Sequence, residues 1–172
     1  MSRYTNRRQY LRKKGLPTYR VVRYADDFVI LVNGTREQAE AIKEETAIFL
    51  REKLRMELSK EKTVITHVRE GFDFLGHHIQ TKQVNGKEIL YTFPSKESLM
   101  RVKGRVKKIT SRETIHLSLK EMLGQLNPVL RGWSTYFRFD ASKRTFAYLD
   151  YYAWRRVYRW MLKKHLKVPV KK

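Results

Sequence analysis

The sequence contains no cysteine. Disulfides and thiolate metal sites are therefore excluded, and a chain without thiols fits a reducing compartment. Proline is scarce too, with four residues among 172, and no low-complexity tract or internal repeat can be drawn from the sequence. No apolar run approaches the roughly 20 residues of a membrane-spanning helix, and the N-terminus carries basic residues without the apolar core of a signal peptide. The expectation is a cytoplasmic protein with no membrane partner. Acidic residues are the scarcest class relative to need: 17 Asp and Glu stand against 38 Lys and Arg, a net charge of +21. Globular surfaces usually mix both signs. An excess this one-sided points to a polyanion, with nucleic acid ranked ahead of an anionic membrane surface.

What is present is unevenly spread. Residues 94–172 carry 20 basic and 5 acidic side chains, against 18 and 12 in residues 1–93. Hydrophobic residues make up 41% of the chain, enough for a folded core. Three regions follow: a basic N-terminal arm (1–18), a roughly balanced middle (19–93), and a strongly basic C-terminal part (94–168).

The middle reads as strands and one helix. Tyr19–Tyr24 and Phe28–Val32 are rich in Val, Ile and aromatic residues and have strand length. Ala25-Asp26-Asp27 is too short to be more than a turn, so a hairpin is expected with both carboxylates at its tip. Thr35 and Gln38 form a capping box. Ahead of them lie Ala39, Ile42, Thr46, Phe49, Leu50 and Leu54 on one helical face. Strands are expected at Thr63–Val68, Gly71–Gln80 and Lys87–Phe93, the last two joined through Asn85-Gly86, a strong hairpin signal. The pattern β-β-α-β-β-β suggests one antiparallel sheet backed by a helix. After Pro94 the pattern turns helical. Ser95 can cap a helix with Leu99, Val102, Val106 and Ile109 as its stripe. Ser118 and Glu121 make a second capping box, and Asn127-Pro128 fits a fresh helix start. A long helix is expected from Ser142 to Leu166, with Phe146, Leu149, Ala153, Val157 and Trp160 on one face. The fold class is α+β, a sheet-and-helix part followed by an all-helical bundle.

Two adjacent carboxylates on a hairpin tip repel each other. They become favourable when they hold a divalent cation, and hard oxygen ligands suit Mg²⁺, which takes one or two carboxylates plus phosphates and water. Two such ions about 4 Å apart can clamp the attacking and leaving oxygens of a phosphoryl transfer. Asp is also common in ordinary turns. The uninterrupted apolar strands on either side favour the metal reading, because surface hairpins usually alternate apolar and polar residues.

Four stretches, in order, carry a resemblance. Val22-Arg23-Tyr24-Ala25-Asp26-Asp27-Phe28-Val29-Ile30 resembles the Y-A-D-D motif of reverse transcriptases, in the form used by group II intron-encoded proteins. Leu58-Ser59-Lys60-Glu61-Lys62-Thr63 resembles the next palm motif, and Gly71-Phe72-Asp73-Phe74-Leu75-Gly76 the F-x-F-L-G block that closes the palm. Leu126-Asn127-Pro128-Val129-Leu130-Arg131-Gly132-Trp133, with Tyr136-Phe137-Arg138, resembles the signature of the maturase-specific region, also called domain X or thumb. Any one of these alone is weak; their joint order is specific.

The resemblance implies a partial polymerase palm followed by a thumb or maturase bundle. It implies Asp26 and Asp27 as metal ligands with Mg²⁺ as cofactor, Asp27 in the lesser role. Tyr24 would lie near the primer end, Lys62 beside the leaving pyrophosphate, and Gly76 in a grip on the primer strand. The implied partners are structured intron RNA and an RNA template with a DNA primer. The family's fingers and its earlier palm aspartate have no counterpart ahead of Tyr24. The expectation is therefore a chain that does not polymerise alone and needs a separate N-terminal half, or else a non-catalytic RNA-binding remnant. A reverse transcriptase of non-intron origin is disfavoured by Asn127 to Trp133.

The basic helices offer candidate residues for RNA contact. Arg101, Lys103, Arg105 and Lys107 surround Gly104, which either lets a sugar-phosphate backbone approach or is incidental. Arg131 and Arg138 are candidates for phosphate contact, and Trp133 for a core anchor. Tyr151, Arg155 and Tyr158 either stack and pair with RNA or pack against protein outside this chain. His77 and His78 point to opposite faces of a strand and read as ordinary strand residues.

Overall fold

A computed structural model of the chain describes residues 7, 9–11, 13–59, 61 and 63–165. They fall into two compact units, 1–67 and 68–172. Of the N-terminal arm, residues 7, 9–11 and 13 are helical.

The first unit holds the expected hairpin. Strand β1 (Thr18–Tyr24) pairs antiparallel with β2 (Asp27–Asn33), from Thr18 opposite Asn33 to Tyr24 opposite Asp27. Helix α1 (Arg36–Leu54) starts at the capping box: the Thr35 side chain accepts from Gln38 N, and Gln38 returns the bond to Thr35 N at 2.9 Å. Arg55 ends it in the left-handed conformation. The strands are not buried as expected. Tyr19, Val21 and Tyr24 are each more than half exposed. Phe49 and Leu54, expected on the packed face of α1, are also exposed, while Ala39, Ile42, Thr46 and Leu50 are half-buried. A two-stranded ribbon and one helix have too little surface to cover each other's apolar faces.

No strand forms at Thr63–Val68. The segment is held by other bonds: Lys43 Nζ donates to Thr63 O at 2.7 Å, and Thr63 N donates to Ser59 O. The strands accordingly make two sheets and not one.

The second sheet has order β3-β4-β5: β3 (Phe72–Phe74), β4 (His77–Val84) and β5 (Lys87–Pro94). The stretch expected as one strand, Gly71–Gln80, is a tight hairpin turning at Leu75-Gly76, with Phe74 opposite His77. Leu75 has φ 51° and Gly76 φ 80°; left-handed values at both central residues define the type I′ turn that matches strand twist. Asn85-Gly86 forms the second such turn, as its sequence signals.

Three helices follow: α2 (Lys96–Ile109), α3 (Leu119–Tyr136) and α4 (Lys143–His165). Val106, Met122, Leu126, Ala153 and Trp160 form their common core. Trp160 is 1% exposed, and its indole N–H donates to Thr114 Oγ1 at 3.1 Å. Truncating a tryptophan packed this way costs about 3–5 kcal/mol. Helix α3 does not restart at Asn127-Pro128; it runs through Pro128. Proline there withholds one N–H from the carbonyl four residues earlier, and that residue is Gly124 on an exposed face, with open space around it. The packing of Met122 and Leu126 before the proline, and of Leu130 after it, outweighs the lost bond.

The boundary between compact units lies at residue 67 or 68, well before the composition shift near Phe93–Ser95. The three-stranded sheet belongs with the helices because it is tied to them. Ser95 N donates to Gly76 O at 2.8 Å, Ala141 N to Thr92 O at 2.9 Å, and Tyr136 OH to Leu75 O at 2.9 Å.

Two outcomes test these caps. Ser95, 2% exposed, accepts from Ser98 N at 3.1 Å; Ser95→Ala should lower stability by about 1 kcal/mol in a urea melt. At the start of α3, the Ser118 backbone N–H and hydroxyl bond to Glu121 and lower its pKa from the ordinary 4.5. A carboxyl whose folded pKa is depressed stabilises fully above its unfolded value and loses that contribution as pH falls through the folded one. Wild type should therefore melt higher than Glu121→Gln at neutral pH, and the gap should close below pH 4.5. A gap independent of pH would contradict this.

Candidate nucleic-acid interface

The carboxylate pair sits where two strands meet. Tyr24 and Asp27 are the last cross-strand partners, and Ala25-Asp26 makes the link. Asp27 thus opens β2, and Asp26 alone of the two occupies the turn. Ala25 takes φ 52°, a left-handed value unusual for a residue with a Cβ. Arg23 Nε donates to Ala25 O at 2.7 Å and braces the turn. Both carboxylates and Tyr24 are exposed. Two oxygen donors on a braced turn fit what Mg²⁺ takes from protein when phosphates and water complete its shell. Among the described residues, no cluster of three or more His, Asp or Glu could hold a metal ion. Lys62, expected beside the leaving group, lies outside the described residues.

Gly76 was expected in a strand, gripping a primer. It lies in the Leu75-Gly76 turn, half-buried, and faces protein. A Cβ there would meet Ser98 Oγ at 3.4 Å and the Phe137 ring at 3.7 Å. Next to it, His77 does more than an ordinary strand residue. Its Nδ1 lies 2.8 Å from Asp140 Oδ2, and its ring packs on Tyr136 and Phe137 with centroids 5.1 and 4.9 Å away. The F-D-F-L-G-H run and the Tyr136–Asp140 run are thus two sides of one joint. Sequence reasoning missed His77, Tyr136 and Asp140 as partners because 63 residues separate His77 from Asp140. His78 pairs with Asp73 on the opposite face, as strand alternation requires.

The basic helices divide their charges between inside and outside. On α2, Arg101, Gly104, Arg105 and Lys107 are exposed. Arg101 lies 3.6 Å from Glu97, a loose surface pair. Lys103 turns inward: its Nζ donates to Tyr148 OH at 2.7 Å and lies over the Tyr148 and Tyr152 rings. It is a clasp between α2 and α4. Arg156 is another clasp, donating to Lys107 O, Thr110 O and Thr110 Oγ1 at the end of α2. Trp133 packs on Phe137 and Phe146, the anchor its sequence position suggested. Arg131 is exposed on α3, and Arg138 stacks its guanidinium 4.4 Å above Phe139, which is 84% exposed.

On α4, Tyr151, Arg155 and Tyr158 face outward as expected. Sequence reasoning overlooked Trp154. It is 61% exposed and lies between the two tyrosines. The spacing 151, 154, 158 was the available signal, since residues three and four apart share a helix face.

Comparison with known proteins gives two family matches. Residues 5–79 match "Reverse transcriptase (RNA-dependent DNA polymerase)", and residues 99–172 match "Group II intron, maturase-specific domain". The "Group II intron-encoded protein LtrA" of Lactococcus lactis subsp. cremoris is 50% identical over 62 residues, 36% of this chain and 10% of that protein. "Protein YkfC" of Escherichia coli is 42% identical over 84 residues, 48% of this chain and 22% of that protein. A "Putative COX1/OXI3 intron 2 protein" of Saccharomyces cerevisiae is 41% identical over 59 residues, 34% of this chain and 7% of that protein. The chain thus matches less than a quarter of the length of each relative.

Gly104 offers a direct test of close approach. A Cβ there meets nothing within 4 Å, so Gly104→Ala should stabilise the fold by about 1 kcal/mol. If a sugar-phosphate backbone lies against this position, the same change should weaken RNA binding in a filter assay. Tighter folding with unchanged RNA affinity would make Gly104 incidental.

Proposed function

Because the chain belongs to the family of group II intron-encoded reverse transcriptases and maturases, we propose that it binds structured intron RNA through its helical part and assists that RNA in folding and splicing. The observation that carries this reading is the outward face of the helices. The maturase-specific match covers elements whose exposed positions hold Arg101, Arg105, Lys107, Arg131, Arg138 and Arg155, with aromatic rings between them. Guanidinium groups pair with phosphates and aromatic faces with unstacked bases, and structured RNA offers both. In this reading, residues 19–93 are the C-terminal part of a polymerase palm and 94–168 the thumb or maturase domain.

The palm part carries the polymerase side of the family. In RNA-directed DNA synthesis, the primer 3′-hydroxyl loses its proton and attacks the α-phosphate of a nucleotide, and pyrophosphate leaves. When bound, Mg²⁺ would offset the phosphate charge in that step. What this chain contributes is position: Asp26 and Asp27 supply oxygen donors from a braced turn, and Tyr24 lies beside them. Lys62 is the candidate for meeting the leaving pyrophosphate. Two carboxylates are too few for a two-ion clamp. These 172 residues are therefore proposed to bind RNA without polymerising, and to polymerise only with a partner that supplies fingers and a further carboxylate. A non-catalytic, RNA-binding role is the second reading, and the exposed basic positions of the helices serve it equally.

Salt dependence and Asp26 separate these readings. Affinity for a group II intron RNA should fall steeply with salt, and Arg101→Ala with Arg105→Ala should each reduce the log-log slope by about 1. Asp26→Asn should leave RNA affinity within about twofold, since carboxylates make no favourable phosphate contact without metal. Salt-independent binding would overturn the RNA reading. Mg²⁺-dependent primer extension by the chain alone, lost in Asp26→Asn, would overturn the proposed inactivity.

A further inference from the structure

We propose that the outer face of α4 is a stacking platform for unpaired bases of single-stranded RNA, with Tyr151, Trp154 and Tyr158 taking the bases and Arg155 an adjoining phosphate. This rests on the RNA-binding reading above and adds which nucleotides are held, and how.

The three rings lie at positions i, i+3 and i+7 of one helix, so they form a single stripe. They are 56%, 61% and 51% exposed. Their planes run nearly parallel. Tyr151 and Trp154 are tilted by 21° with centroids 6.2 Å apart, and Trp154 and Tyr158 by 11° at 5.6 Å. Rings in series with parallel planes present the same geometry as a column of bases. The stripe from Tyr151 to Tyr158 runs about 10 Å along the helix, the length of about three stacked nucleotides.

The other rings of α4 are already committed. Trp160 is core, and Tyr148 and Tyr152 hold Lys103. The exposed stripe is left with its charges. Arg155 lies 5.7 Å from the Tyr151 ring centroid, and Arg159 follows one turn later. From Tyr151 to His165 the helix has no acidic residue. An ordinary protein contact over this face would bury two guanidinium groups with no carboxylate from α4 beside them, which is costly. A nucleic-acid strand brings a phosphate with each base. Duplex RNA hides its base faces, so the platform favours unpaired segments.

The test uses the 172-residue chain with two probes, a short oligouridine and an RNA duplex of equal length, read by fluorescence anisotropy. Trp154 is exposed, so Trp154→Ala should leave the melting curve in place. It should weaken oligouridine binding about tenfold, leave duplex binding within about twofold, and leave the salt slope unchanged because no phosphate contact is lost. Trp154→Phe should restore most of the affinity. If wild type binds both probes and Trp154→Ala binds them equally well, the platform is overturned while the RNA-binding reading stands. If wild type binds neither probe, that reading fails and the platform with it. If Trp154→Ala alters self-association but not RNA affinity, the stripe is a protein contact and the proposal is overturned.

Discussion

Ser95 is the residue on which the second unit turns. Its backbone N–H goes to the Gly76 carbonyl in the β3–β4 turn, and its hydroxyl receives the Ser98 N–H that opens α2. One buried residue thus ends the sheet with its backbone and starts the bundle with its side chain. The joint around it depends on that arrangement. Ser98 and Phe137 line the space a Cβ at Gly76 would enter, and Tyr136 must reach the Leu75 carbonyl. His77 must meet Asp140. A buried backbone bond away from water has no cheap substitute, so the sheet cannot tilt on the helices without losing several contacts together.

A bundle this basic has to manage its own repulsion, and it does so by spending part of its charge internally. Arg156 donates to carbonyls at the end of α2, and Lys164 donates to Ile115 O and Leu117 O. Lys103 lies between tyrosine rings. Cations placed on the last carbonyls of a helix meet the negative end of its dipole, which favours them by a fraction of a kcal/mol or more. These side chains hold helices together. Part of the net charge thus serves contacts within the bundle, while arginines on α2, α3 and α4 remain exposed.

Legibility followed how local the cause was. The Asn85-Gly86 turn, the Thr35-Gln38 and Ser118-Glu121 capping boxes, and the Asp26-Asp27 hairpin were all readable, because a few adjacent residues determine each. The Leu75-Gly76 turn was not, since Leu resists a left-handed φ and only the docking against Ser95 and Tyr136 repays it. The continuity of α3 through Pro128 was also hidden: Asn-Pro is a sound helix start by local rules, and the core on both sides of it overrides them. In the candidate site, Lys103 looked like its neighbours on a helical wheel; its inward turn depends on Tyr148, 45 residues away. Trp154 differs: its partners Tyr151 and Tyr158 lie three and four residues away, so its place on the outer face was legible from local spacing. The apolar runs of β1 and β2 predicted burial, yet Tyr19, Val21, Tyr24 and Leu31 are exposed and Val29, Ile30 and Val32 only half-buried.

The span of the joint has a consequence for how the chain is made. The β4–β5 hairpin closes over two residues and can form in about microseconds once it leaves the ribosome. Its anchors arrive much later: Ser95 shortly after the sheet, Tyr136 and Asp140 only when most of the chain has been synthesised. At synthesis rates of about 5–20 residues per second, the sheet waits for seconds with the face that will receive Phe137 still open to water. The order of translation therefore leaves the three-stranded sheet complete and undocked before the segment that holds it exists.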